Sequence, residues 1–159
     1  EAERFAAVAD ALIERHGAAV VVNAAPNERA VARRVAEAMR RPPAVNLAER
    51  DNTISLLKSM VRRCRLLITN DTGARHVAAA FGVAVVTLFG STDPVWARID
   101  YPRERVVRVP VPCAPCQRKL CDRPPGPTYH QCMAAISVEM VLDAAEALLA
   151  EPLPAEAGR

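Results

Sequence analysis

Aromatic residues make up only 4% of the sequence, which leaves little material for the base-stacking platform that single-stranded nucleic-acid binders use. Charge of one sign is no better concentrated. Lys and Arg are interspersed with Asp and Glu along the helical patterns and the net charge is only +3, so no basic block marks a nucleic-acid partner. Long hydrophobic runs are missing too: the longest, residues 77–90, is broken by Gly82 and falls short of the ~20 residues that span a bilayer. The N-terminus has neither a basic start nor a compact apolar run ending in a cleavage site, so no secretory signal is read and the expected compartment is the cytoplasm.

A chain of 159 residues, 51% of them hydrophobic, can close one core and is too short for two full-sized domains. One domain over residues 1–150 is expected, with a flexible tail at 151–159. Because Glu1 opens directly on a helical pattern, the sequence reads as cut from something longer.

Helix and strand patterns alternate. In residues 5–15, Phe5, Val8, Ala9, Leu12 and Ile13 recur at three- and four-residue steps, one face of a helix that Gly17 stops. Residues 18–22 form a short β-branched run suited to a buried parallel strand. A second helix is expected at 28–41 with Val31, Val35 and Met39 inward, ended by Pro42 and Pro43, then a brief strand at 44–47. A third helix follows at 53–63 with Ile54, Leu57 and Val61 inward, then a strand at 66–69, a helix near 74–81 closed by Gly82, and a strand at 84–89. Beyond lie one more strand at 106–109, a Cys- and Pro-rich segment at 113–132, and a last helix capped by Ser137 whose stripe is Val138, Val141, Leu142, Ala145, Leu148 and Leu149. The alternation predicts the α/β class, a Rossmann-like parallel sheet with flanking helices and right-handed crossovers.

In such a sheet, ligands sit beyond the carboxyl ends of the strands. The turn Asn70-Asp71-Thr72-Gly73 lies at one of those ends. The first turn of the following helix offers unpaired amides and the positive end of its dipole to an anion; Gly73 lets a ligand approach the main chain, and His76, one turn along, can donate to a phosphate or hydroxyl oxygen. The same residues also suit an ordinary junction, with Asp71 or Thr72 as N-cap, Gly73 as a turn residue and His76 on the surface.

Residues 66–94, LLITNDTGARHVAAAFGVAVVTLFGSTDP, resemble the signature of the lipopolysaccharide heptosyltransferases, glycosyltransferase family 9: an apolar strand, an Asp-Thr/Ser-Gly-x-x-His turn, a small-residue helix, a second strand and a Gly-x-Thr/Ser-Asp/Ser-Pro loop. Cys113, Cys116, Cys121 and Cys132 resemble a cysteine-bearing insertion found in many members. The resemblance implies the C-terminal, donor-binding half of a GT-B enzyme, with Asp71, Thr72, Gly73 and His76 contacting the sugar and diphosphate of ADP-heptose. By position it places Glu28 at the ribose and Asn52 near the adenine. Ser91, Thr92 and Asp93 then form the loop bordering the cleft, although Asp93 suits a plain Ser-Thr-Asp-Pro turn equally.

The implied reaction is inverting transfer of heptose to a lipopolysaccharide core or lipid-linked acceptor, with no cofactor required. The carboxylate base would come from an N-terminal domain outside this sequence, and by the same resemblance the strand and Lys/Thr loop that normally open the donor half are expected to be missing here as well. The polypeptide alone is therefore expected to bind donor without transferring it, in the cytoplasm or at the inner membrane surface. Another nucleotide sugar in place of ADP-heptose stays open.

The spacing Cys113-x2-Cys116-x4-Cys121-x10-Cys132 points to a closed structural zinc site ahead of disulfides in a cytosolic protein. Replacement of one thiolate by His130, free or oxidised thiols, and an iron–sulfur cluster are the alternatives. A zinc-stabilised interaction module without transferase activity is the competing function. Cys64 reads as an ordinary buried thiol, Trp96 and Tyr101 as residues that fill the core, and His16 as a partner of the dipole at its helix end.

Overall fold

The computed structural model describes residues 1–50 and 52–152; most of the tail expected at 151–159 lies outside them. It divides into two compact units, Glu1–Leu57 and the chain from Lys58 onward. Both are parallel α/β structures, as the alternation predicts. None of the helices among the described residues is long and apolar enough to cross a membrane.

The first unit holds α1 (Ala2–His16), β1 (Val21–Val22), a 3-10 turn (Pro26–Glu28), α2 (Arg29–Ala38) and β2 (Val45–Asn46). Gly17 ends α1 at φ 60°, returning its amide to Ile13, a left-handed cap that only glycine adopts without strain. The strands pair in parallel, Val21 with Val45 and Val22 with Asn46. Their core is Ala6, Ala9, Val22, Ala32, Met39 and Ala48, with Val35 packed against it. The inner face of α2 is thus Ala32, Val35 and Met39. Val31, expected inward, is 54% exposed in the first turn of the helix, and Ala32 takes the inward place beside it.

Asp10 on α1 is buried, and its carboxylate accepts from the amides of Arg40 (2.9 Å) and Arg41 (3.1 Å) and from the Arg40 guanidinium (3.3 Å). Burial alone would raise its pKa; the two amides and Arg40 outweigh that and hold the carboxyl below the usual aspartate value. One carboxylate so fixes the chain leaving α2 against α1.

Helix α3 (Ile54–Val61) spans the boundary between the units. It buries Val61, whereas Ile54, also expected inward, is 71% exposed at its first residue. The second unit continues with β3 (Leu66–Asn70), α4 (Gly73–Ala80), β4 (Ala84–Leu88), β5 (Glu104–Val107), α5 (Gln131–Ala134) and α6 (Val138–Ala150). The sheet order is β3-β4-β5, all parallel. Central β4 is buried at every position, which is why its sequence is an unbroken apolar run with only Thr87 among it. Helix α6 packs across all three strands and α4 against β3 and β4. Val141, Leu142, Ala145 and Leu148 of the predicted stripe are buried, and Ser137 caps α6 by accepting the Met140 amide (3.2 Å). The last strand begins two residues earlier than the apolar pattern suggests, because Glu104 belongs to it.

The register pairs Leu66 with Ala84 and Asn70 with Leu88. The carboxyl ends of β3 and β4 therefore lie side by side, and the segments leaving them, Asp71–Gly73 and Gly90–Thr92, emerge at one edge of the sheet.

Candidate functional site

At that edge α4 starts without a side-chain cap. Thr72 occupies the N-cap position in extended conformation, but its hydroxyl accepts no main-chain amide. It lies 3.2 Å from the Thr69 hydroxyl instead. The Arg75 amide turns back to the Thr72 carbonyl (3.2 Å), and the missing cap leaves the Gly73 and Ala74 amides ahead of it for solvent or a ligand. A Cβ built on Gly73 would meet no atom within 4 Å, so the glycine opens the helix start outward. Thr72 and His76 are both exposed. The capping role that Asp71 or Thr72 could have filled is taken by neither.

Asp71 is fixed from below. Arg75, one turn along α4, is 1% exposed and donates from Nη1 to Asp71 Oδ1 (2.8 Å) and to the Ala97 carbonyl (2.8 Å). Its Nε and Nη2 form a fork onto Glu104 Oε1 (2.9 Å) and Oε2 (3.1 Å), and the buried Thr87 hydroxyl donates to Glu104 Oε1 (2.5 Å). The guanidinium also sits 5.1 Å from the centre of the Phe89 ring, within cation–π range. Burial works against the charge on Arg75, but Glu104 and Asp71 outweigh it and hold the group protonated above its ordinary range. This bidentate, hydrogen-bonded arrangement is the kind that can sustain a buried charge. Neither Arg75 nor Glu104 stands out among the sequence motifs. The available signal is the Asp71/Arg75 spacing of four on a helix start, together with an acidic residue at an inward strand position.

A cavity of about 250 Å³ opens beside Asp71, lined by Asn70, Asp71, Ser91 and Thr92 on the strand side and by the cysteine segment opposite. Asp93 does not line it. Its carboxylate accepts the Val95 amide (2.9 Å) and its carbonyl the Trp96 amide (3.1 Å), the turn that a Ser-Thr-Asp-Pro sequence makes. Trp96 is 85% exposed and fills no core; Tyr101 is part-buried, with its hydroxyl donating to the Val83 carbonyl (3.0 Å).

Glu28 and Asn52 belong to the first unit. Glu28, exposed at the end of the 3-10 turn, accepts the Ala25 amide (3.4 Å). Asn52 donates to Asn23 Oδ1 (2.6 Å) and the Ala24 carbonyl (2.9 Å), and its own Oδ1 is buried with no hydrogen-bond partner among the described residues. Both residues lie at the carboxyl-end side of the two-stranded sheet, next to the segment leaving β1.

A strand-turn-helix junction with an open amide cluster, a buttressed carboxylate and an exposed histidine is now in place. The profile of glycosyltransferase family 9 (heptosyltransferase) matches residues 1–125. The chain belongs to glycosyltransferase family 9. Among similar proteins, the lipooligosaccharide heptosyltransferase 2 of Haemophilus influenzae is 27% identical over 150 residues, covering 92% of this chain and 42% of that protein. The enzyme of the same name from Campylobacter jejuni is 32% identical over 101 residues, covering 61% and 30%. The structure of Escherichia coli ADP-heptose lipopolysaccharide heptosyltransferase II aligns with 25% identity and a TM-score of 0.74 over 94% of this chain and 41% of that one. A family 9 glycosyltransferase from Veillonella parvula aligns with 29% identity and the same TM-score, covering 96% and 42%. The family 9 chain thus spans less than half the length of these relatives.

In this family 9 chain the cysteine segment forms one side of the cavity. Cys113, Cys116, Cys121 and Cys132 are free thiols that all line the cavity. Among the described residues, however, no group of three or more His, Cys, Asp and Glu side chains is placed to hold a metal ion. A tetrahedral zinc site needs four donors at about 2.0–2.3 Å from one point. Burial raises the Cys132 thiol above its ordinary pKa, and the nearby Cys113 and Cys116 push the same way. Cys64, half-buried at the end of α3, donates to the Met60 carbonyl (3.3 Å), and burial raises its pKa.

Proposed function

We propose that this chain is the donor-binding part of a glycosyltransferase that moves heptose from ADP-heptose to a lipopolysaccharide core acceptor with inversion, on the cytoplasmic side of the inner membrane. The observation that carries the reading is the start of α4, uncapped, open at Gly73 and flanked by Asp71 and His76, in a family whose relatives bear heptosyltransferase names.

In this reading the donor's diphosphate lies on the first-turn amides of α4, where the helix dipole stabilises negative charge. As the acceptor hydroxyl attacks the anomeric carbon, the bond from that carbon to the diphosphate oxygen breaks, and charge grows on the leaving group. Amides fixed before the reaction stabilise it without reorganising. His76 donates a hydrogen bond to the same group, and Asp71, held still by Arg75, accepts from sugar hydroxyls. The base that takes the acceptor proton lies outside this chain, and no metal or cofactor enters the step. By the family resemblance Glu28 is the candidate for the ribose hydroxyls and Asn52 the residue near the adenine. Ser91 and Thr92 border the sugar.

Calorimetry with ADP, ADP-sugars, UDP-sugars and GDP-sugars tests this. Binding of the adenine series alone, weakened by His76→Ala, is expected. Equal binding of all nucleotides would replace the donor, and no nucleotide binding at all would remove the reading.

A further inference from the structure

The cavity beside Asp71 has an uneven charge. Its acidic residues are already occupied: Asp71 is paired with Arg75, and Asp122 accepts from Arg118 four residues earlier. Lys119 lines the same cavity and has no carboxylate partner among the described residues. It is one of only two lysines in the sequence, the other being Lys58.

The segment carrying Lys119 is held to the sheet on both sides. Before it, Gln117, at φ 58°, donates its amide to the Ser91 carbonyl (2.9 Å). After it, Cys132 and Met133 press on Gly90, where a Cβ would lie 2.6 Å from Met133 Sδ and 3.2 Å from Cys132 Sγ. A side chain at residue 90 would make the Met133 side chain shift, so glycine there suits the close seating of the segment on the strand end. The result is a lysine without a carboxylate partner on the same cavity as Ser91 and Thr92.

From this we infer that the cavity between the β4 exit loop and the cysteine segment is a binding site for a phosphate or carboxylate group, with Lys119 as the charge partner and Ser91 and Thr92 as neutral donors. A lysine serves such a group as a point charge. The anion has two sources in a transferase: the donor's own diphosphate or an acidic group on the second substrate. Only that assignment of source rests on the transferase reading; the site rests on the cavity.

The test titrates the full chain with ADP, with inorganic pyrophosphate, and with glucose 6-phosphate in the presence of saturating ADP. Lys119→Met, Lys119→Arg and Lys58→Met are compared with the parent. Because the ammonium is solvent-exposed, an effect of roughly three- to fivefold at low salt, shrinking as salt is added, is expected for Lys119→Met. Lys119→Arg should keep most of the affinity, and Lys58→Met all of it. Weaker pyrophosphate and ADP binding assigns the site to the donor. Unchanged ADP with weaker glucose 6-phosphate assigns it to the second substrate. Lys119-dependent pyrophosphate or sugar-phosphate binding in a chain that ignores ADP keeps this site and removes the transferase reading. A parent that binds none of the three probes, or a Lys119→Met chain that binds all three like the parent, overturns the inference.

Discussion

A buried charged side chain stands at the heart of each unit, Asp10 in the first and Arg75 in the second, and the two serve different ends. In the first unit Asp10 ties α1 to the chain leaving α2, and every group it touches is scaffold. In the second, Arg75 spends one edge of its fork on Glu104 and another donor on Asp71, at the mouth of the cavity. A buried ion pair is weak evidence for added stability, since desolvation offsets most of the attraction. What distinguishes Arg75 is that its far end reaches a group open to ligand, so fold and site share one side chain.

The largest effect should come from breaking that sharing. Arg75→Met leaves Glu104 buried without its guanidinium and is expected to destabilise the second unit by about 3–5 kcal/mol, read as a lower denaturation midpoint. Adding Glu104→Met removes the orphaned carboxylate, so the double variant should recover much of that loss. ADP affinity should stay reduced, because Asp71 is still unheld. Recovery of binding along with stability would show that Arg75 serves the fold alone.

Asp10→Asn is the matching change in the first unit. It is expected to cost about 1–3 kcal/mol, chiefly from main-chain donors that lose an ionised acceptor; the Arg40 contribution is small because that side chain is 70% exposed. Nucleotide affinity should not move. Acid should act the same way. The folded pKa of Asp10 is depressed, so its contribution is present above the ordinary aspartate value of 3.8 and is lost as pH falls through the lower folded value. In the Asp10→Asn chain that part of the acid-induced loss should be missing.

How much of this is readable from sequence follows the same division. Central β4 and the stripe of α6 are legible because burial on all sides writes an unbroken or 3.6-residue apolar pattern. The starts of α2 and α3 are not: Val31 and Ile54, each in the first turn of its helix, prove exposed although Val35, Met39 and Val61 further along the same stripes are packed. The Asp71–His76 turn is legible through its position after a strand and its family signature. Arg75 and Glu104 are hidden: a charged residue in the core looks like any surface charge until the strand that answers it is placed. The cysteine spacing suggests zinc, and the structure brings the four cysteines to one cavity without placing three or more ligands around a single point among the described residues.

A third change separates site from scaffold more finely. Gly73→Ala adds a methyl where no protein atom lies within 4 Å, so stability should stay within about 0.5 kcal/mol of the parent. A ligand seated on the same amides would meet that methyl, and ADP affinity should fall by about tenfold, within the range for an overfilled contact. Unchanged affinity would move the diphosphate away from the start of α4.

The smallest expected effects compare two helix starts in the second unit. Ser137 accepts the Met140 amide and closes α6, whereas the Thr72 hydroxyl accepts no amide of α4. Losing a working cap costs about 1 kcal/mol, so Ser137→Ala should lower stability by that amount and leave ADP binding alone. Thr72→Ala has no cap to lose, and its stability cost should be a few tenths of a kcal/mol at most. Any weakening it causes should appear in nucleotide affinity. Both outcomes follow from the same rule: the first amides of a helix need an acceptor, and where the protein supplies none, solvent or a ligand does. A Thr72→Ala chain as destabilised as Ser137→Ala would mean that α4 is closed by its own side chain, and that the open amides belong to no ligand.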